Sequence, residues 1–79
     1  MEIKPIIGQR IKQLREKNGI SQKDLAFESN LDRSYIASVE NGKRNISIVN
    51  IKKIASALKV SLKEFFNDEE FNHTAGSPE

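Results

Sequence analysis

Residues 20–42 read ISQKDLAFESNLDRSYIASVENG, and within them one motif occurs twice. Ile20-Ser21-x-x-Asp24-Leu25 is followed by Leu31-Asp32-x-x-Tyr35-Ile36, and the motif returns as Ile46-Ser47-x-x-Asn50-Ile51 and Val60-Ser61-x-x-Glu64-Phe65. Each copy places a short polar residue just after one apolar residue and sets a second apolar residue five positions after the first. The polar side chain accepts from a free N–H of a helix's first turn, and the two apolar residues close across it as a hydrophobic staple. Ser21/Asp24 and Ser61/Glu64 also have the spacing of reciprocal capping boxes. Four helix starts are therefore marked by local chemistry.

A fifth helix precedes them. Pro5 suits a first turn, where its missing N–H has no partner to lose. Ile7, Ile11 and Leu14 form an apolar stripe at helical spacing, and Asn18-Gly19 stops the run. The expectation is an all-α, compact five-helix domain with helices near 5–17, 21–29, 32–41, 47–58 and 61–67. No segment alternates as a strand should. The last stretch, FNHTAGSPE, has no periodicity. The chain thus divides into a helical domain over 1–66 and a short acidic tail over 67–79 that is expected to be disordered.

The 79 residues suffice for one small domain with a modest core, to which dimerisation is a natural supplement. There is no cysteine, hence no disulfide framework and no thiolate chemistry. No apolar run approaches the ~20 residues that span a bilayer, and MEIKPIIGQR lacks a signal-peptide pattern. The expectation is a cytoplasmic protein with no membrane contact. Residues 1–66 hold all 13 Lys and Arg but only seven acids, a balance of +6; Asp68, Glu69, Glu70 and Glu79 bring the chain to +2. A basic domain of this kind suits a polyanionic partner.

The second and third helices are joined only by Asn30 and Leu31. Asn tolerates the left-handed conformation that so tight a turn needs, and two short helices on such a turn suggest a helix-turn-helix. Counting about 100° per residue from Arg33, Ile36, Val39 and Glu40 fall between about 240° and 340° and must face the core. Arg33, Ser34, Ala37, Ser38 and Asn41 fall between about 0° and 140°, with Tyr35 at the border near 200°. A merely solvated face usually collects Lys and Glu. This one is narrow and mostly small, with an Arg in the first turn. Small residues let a helix enter the DNA major groove, and Arg can reach guanine O6 and N7. Arg33, Ser34, Ser38 and Tyr35 are the candidate base contacts.

Glu40 shares the apolar stripe with Ile36 and Val39, and Arg15 follows Ile11 by four on the stripe of the first helix. Each is costly if buried alone. Either they pair, joining the two helices, or both snorkel to water. Gln22, beside the cap Ser21, is placed to grip a phosphate at a helix N-terminus. Lys43, Arg44 and Asn45 follow the third helix and form either a solvated loop or further phosphate contacts. Val49 falls off its helix stripe and Phe66 stands beside core-type Phe65. With Ile46 and Ile48 nearby, they form core filler or a homodimer interface, and a reader of palindromic DNA needs the latter.

Residues 8–66 resemble the Cro/cI-type (XRE) helix-turn-helix family. The resemblance rests on Arg15-x-x-x-Gly19-x-Ser21-Gln22-x-x-Leu25-Ala26 and Ile36-x-x-x-Glu40-Asn41-Gly42. It implies a lambda-repressor-like fold, a buried Arg15–Glu40 pair and a phosphate clamp at Gln22. It also implies base-facing Arg33, Ser34 and Ser38 and a backbone contact at Lys43. LDRSYIASVENGKRNIS is more particularly similar to restriction–modification controller proteins. That resemblance implies a dimer on a double-stranded palindromic operator, controlling its own gene and an endonuclease gene. Phage repressors and antitoxins share the domain. Related activators touch RNA polymerase through an acid on the second helix; here Asp24 and Glu28 stand there, which makes the polymerase sigma subunit a candidate partner.

An enzyme is not expected. His73 is the only histidine, and no phosphate loop, metal-ligand cluster, cofactor motif or nucleophile–base pair is visible. The competing reading is a helical protein-interaction module without DNA binding. It leaves the groove-fitting face of residues 32–42 without a purpose.

Overall fold

The structure is a computed structural model and describes residues 2–74. Its order is α1 Ile3–Lys17, α2 Gln22–Ser29, α3 Arg33–Glu40, α4 Ile48–Ala57, α5 Leu62–Phe65 and α6 Glu69–Thr74, with no strand among the described residues. The marked caps form. Ser21, Ser47 and Ser61 accept from the backbone N–H of Asp24, Asn50 and Glu64 at 3.0, 3.1 and 3.0 Å. Only Ser21/Asp24 completes the reciprocal box. At Ser61 the box stays half-made, and the Glu64 carboxylate stands 3.9 Å from Arg10 instead. Asp32 caps α3 by position, without a side-chain hydrogen bond.

The joints follow from one economy. Asn30 adopts φ 60°, ψ 41°; its N–H donates to Phe27 O at 3.2 Å and that of Leu31 to Ala26 O at 3.0 Å. This doubly bonded exit from a helix uses the left-handed residue to turn the chain. Lys59, at φ 63°, repeats it after α4, with Val60 N–H donating to Ala55 O. Leu31 and Val60 thus end one turn and supply the staple that starts the next helix, so three residues join α2 to α3 and four join α4 to α5.

The core is built from one stripe of each helix from α1 to α5: Ile11 and Leu14, then Leu25, then Ile36 and Val39, then Ile54 and Leu58, then Phe65, all at 3% exposure or less. Gly8 brings α1 against the C-terminal end of α3. A Cβ there would lie 2.6 Å from the Glu40 carbonyl oxygen, so a bulkier residue would force the two helices apart.

The chain does not lose its order at residue 66. Residues 69–74, expected within a loose tail, form α6. Asp68 caps it, accepting from Glu70 N–H at 2.9 Å, and Phe71 sets its ring 5.1 Å from Phe66 and 6.5 Å from Phe65. The helix is held by that aromatic cluster rather than by a periodic stripe of its own. The side chain of His73 and residues 75–79 lie outside the described residues.

Candidate nucleic-acid interface

α2, the Asn30 turn and α3 present one surface. Arg33 and Ser34, in the first turn of α3, are exposed; Ala37 and Ser38, one turn on, are half-buried. Ile36 and Val39 are buried behind them, as the angular count expects. The outward face of α3 is therefore short-chained apart from Arg33. Lys43, Arg44 and Asn45 are exposed in the loop that follows.

Behind this face, Arg15 and Glu40 meet. Arg15 Nε donates to Glu40 Oε2 at 2.7 Å and a terminal nitrogen donates to Oε1 at 3.0 Å. The side chains are only 12% and 3% exposed. The third Arg15 nitrogen donates to Ile20 O at 3.1 Å. A buried carboxylate is tolerable here because a planar fork neutralises it and shares both its oxygens. The hydrogen bond to Glu40 is the main cause that holds the Arg15 guanidinium above its ordinary pKa range; burial opposes it, and the charge of Glu40 adds to it. Gln22 joins the pair, its amide N–H donating to Glu40 Oε1 at 3.0 Å.

Tyr35, placed among the base contacts by sequence, is half-buried. Its hydroxyl accepts from Asn50 Nδ2 at 3.0 Å, and the Arg44 guanidinium stands 4.9 Å from its ring centre. Its O–H still has a proton to donate, so Asn50 and Arg44 orient the ring at the edge of α3 without occupying that donor. Asn50 had no sequence signal, since only the fold brings it to Tyr35. Of the acids on α2, Asp24 is exposed but turned to the Ser21 N–H at 3.4 Å, and Glu28 is exposed.

The expected dimer set is split. Ile48 and Val49 are each 62% exposed in the first turn of α4. Ile46 packs against the chain's own core, and Phe66 is half-buried with its ring edge-on to Phe65 at 5.0 Å.

One buried charge escaped the sequence reading. Arg10, 9% exposed, donates to Phe65 O and Glu64 O, both at 2.7 Å, and lies 3.6 Å from the Asp68 carboxylate. A cation at the carbonyl end of α5 satisfies groups the helix leaves open. The signal was present: Arg10 follows Ile7 by three and precedes Leu14 by four, on the same buried stripe. Among the described residues there is no cluster of groups that could hold a metal and no helix long and apolar enough to cross a membrane.

Residues 11–65 match the helix-turn-helix family model. The chain is similar to the control protein C.MunI of a Mycoplasma species, 47% identical over 70 residues that cover 87% of this chain and 95% of the relative. It is 44% identical over 66 residues to the control protein C.BamHI of Bacillus amyloliquefaciens, with 82% of each chain covered. Among solved structures it resembles the restriction–modification controller protein C.AhdI from Aeromonas hydrophila. That match has a TM-score of 0.76 and 52% identity, covering 78% of this chain and 90% of that one. It also resembles the C.Esp1396I tetramer in complex with its natural 35 base-pair operator. Here the TM-score is 0.81 and the identity 36%, with 92% and 93% covered.

Proposed function

The chain belongs to the helix-turn-helix family and, within it, to the restriction–modification controller proteins; from that premise we propose that it binds a palindromic DNA operator as a homodimer and regulates its own gene and an endonuclease gene. It is a regulator, not an enzyme. It acts in the cytoplasm, where its operator is. The observation that carries the reading is the small-residue face of α3 with an exposed Arg33 in its first turn. α3 enters the major groove, Arg33 reads a guanine through O6 and N7, and Ser34, Ser38 and, at the edge, Tyr35 line the same groove. Gln22, Lys43, Arg44 and Asn45 hold the flanking phosphates. Ile48 and Val49 pair two protomers, so that the two recognition helices stand roughly 34 Å apart, one turn of duplex. Asp24 and Glu28 offer the acidic face of α2 to the polymerase sigma subunit.

The test compares Arg33→Ala and Lys43→Ala on a site selected from random duplexes and on each of its single-base variants. Arg33→Ala costs about 1–3 kcal/mol on the selected site and relaxes the preference at one base pair per half-site. Lys43→Ala weakens all duplexes alike and lowers the salt slope by ~1. If Arg33→Ala weakens every variant equally, Arg33 is a phosphate anchor and α3 does not read bases through it.

A further inference from the structure

We propose that Glu40 is a positioning residue for DNA binding: its buried carboxylate fixes the Gln22 amide at the N-terminus of α2 in the orientation that meets a phosphate. The inference rests on the reading that Gln22 touches the DNA backbone. Glu40 closes α3, Gln22 opens α2 and Arg15 lies near the end of α1, so one carboxylate links three helices.

The Arg15 fork alone completes an ion pair, with one N–H on each Glu40 oxygen. The third donor, Gln22, is not needed for neutralisation. Nor does Gln22 serve the cap of its own helix, because Ser21 and Asp24 complete that box between them. What the bond from Gln22 does is restrain a long side chain beside the exposed Ser21 and Lys23. One amide N–H is held by Glu40; the second has no partner among the described residues. A free Gln at a helix start samples many rotamers and loses that freedom on binding. Here the freedom is already lost in the fold, so an amide with an open N–H waits at the positive end of α2. Arg15 holds the carboxylate in place with a hydrogen bond to each oxygen, and a carboxylate acceptor makes the stronger, charge-assisted kind of bond.

Glu40 variants can also unfold the protein, so the test replaces both ion-pair partners. Arg15→Met/Glu40→Met removes the charges together and keeps the volume filled, a change that buried pairs tolerate. Gln22→Ala is then made in the wild-type and in the double-variant background. Affinity for a labelled duplex of generic sequence is measured at low salt by fluorescence anisotropy, after circular dichroism has established that each protein is folded. The expected loss is about tenfold in the wild type, the worth of one charge-assisted hydrogen bond, and at most about twofold in the double variant. The Gln22 side-chain amide protons give a second readout in the free protein. They should be well separated and slow to exchange in the wild type, and collapse to the values of a free amide once Glu40 is gone. A merely structural Glu40 would leave the Gln22→Ala loss the same in both backgrounds, and that result overturns the positioning role while Gln22 keeps its contact. No loss in the wild type overturns the contact itself, and the proposal with it.

Discussion

Replacing Arg15 by Ala would strand the Glu40 carboxylate, whose side chain is only 3% exposed. Two of its three hydrogen bonds come from Arg15, and the remaining one, from neutral Gln22, cannot balance a full charge. Breaking a buried pair from one side costs about 3–5 kcal/mol, and Arg15→Ala belongs at the upper end. Glu40→Ala belongs at the lower end. Arg15 is 12% exposed, keeps its bond to Ile20 O, and can swing its head group towards water. A chain of this length is stable by ~4–12 kcal/mol, so either loss is a large share. Each kcal/mol moves Tm by about 4–8 °C in a domain this small, which places both variants at least ~12 °C below wild type. Because the guanidinium pKa is raised in the fold, its contribution is full at every pH below the ordinary guanidinium value. It is lost only as pH rises through the raised one. The gap between wild type and Arg15→Ala should therefore stay level from neutral to mildly alkaline pH. Urea unfolding followed by circular dichroism, at one fixed protein concentration because a dimer's stability depends on it, measures all of this. If both single variants lie within ~0.5 kcal/mol of wild type, or if Arg15→Met/Glu40→Met is less stable than either, the reasoning from stranded charge is wrong.

Gly8→Ala should destabilise at the upper end of about 1–3 kcal/mol, because the new methyl meets the backbone carbonyls of Val39 and Glu40 rather than a movable side chain; a thermal melt reads it. Val49→Asp should leave the fold intact and yield a monomer by sedimentation, whereas Phe66→Asp should also lower stability, since Phe66 is packed between Phe65 and Phe71. Phe71→Ala should cost α6 its anchor and appear as faster amide exchange over residues 69–74, with little change in α2 or α3. Phe27, 83% exposed, should tolerate Ser within ~0.5 kcal/mol in the same melt.

The parts of the fold legible in the sequence are those whose causes are local. A cap and its staple lie within six residues, and Ser21, Ser47 and Ser61 accept from the N–H groups their spacing predicts. The Asn30 turn was legible because few residues accept a positive φ. Arg15 and Glu40 could be matched because each charge lies on an apolar stripe, and a stripe says what is buried even when it does not say against what. Arg10 met the same criterion, but its acceptors are backbone carbonyls 54 and 55 residues away. No side-chain pattern announces a carbonyl. α6 failed for a related reason: six residues cannot carry a stripe, and Phe71 is explained only by the rings of Phe65 and Phe66.

The dimer set divides along the same line, and the staple motif shows why. Ile46 is the apolar residue before the cap Ser47, so the staple that starts α4 turns it onto the chain's own core, where it is half-buried. Ile48 and Val49 lie just after the cap, on the side of the first turn that the staple does not use, and each stays 62% exposed. The most exposed apolar surface in this region is the Ile48/Val49 edge. It begins on α4 next to Asn50, which holds the Tyr35 hydroxyl of the recognition helix. Pairing through this edge would connect the two recognition helices through Asn50 and Tyr35, so their separation would be set by short, hydrogen-bonded links rather than by a flexible arm.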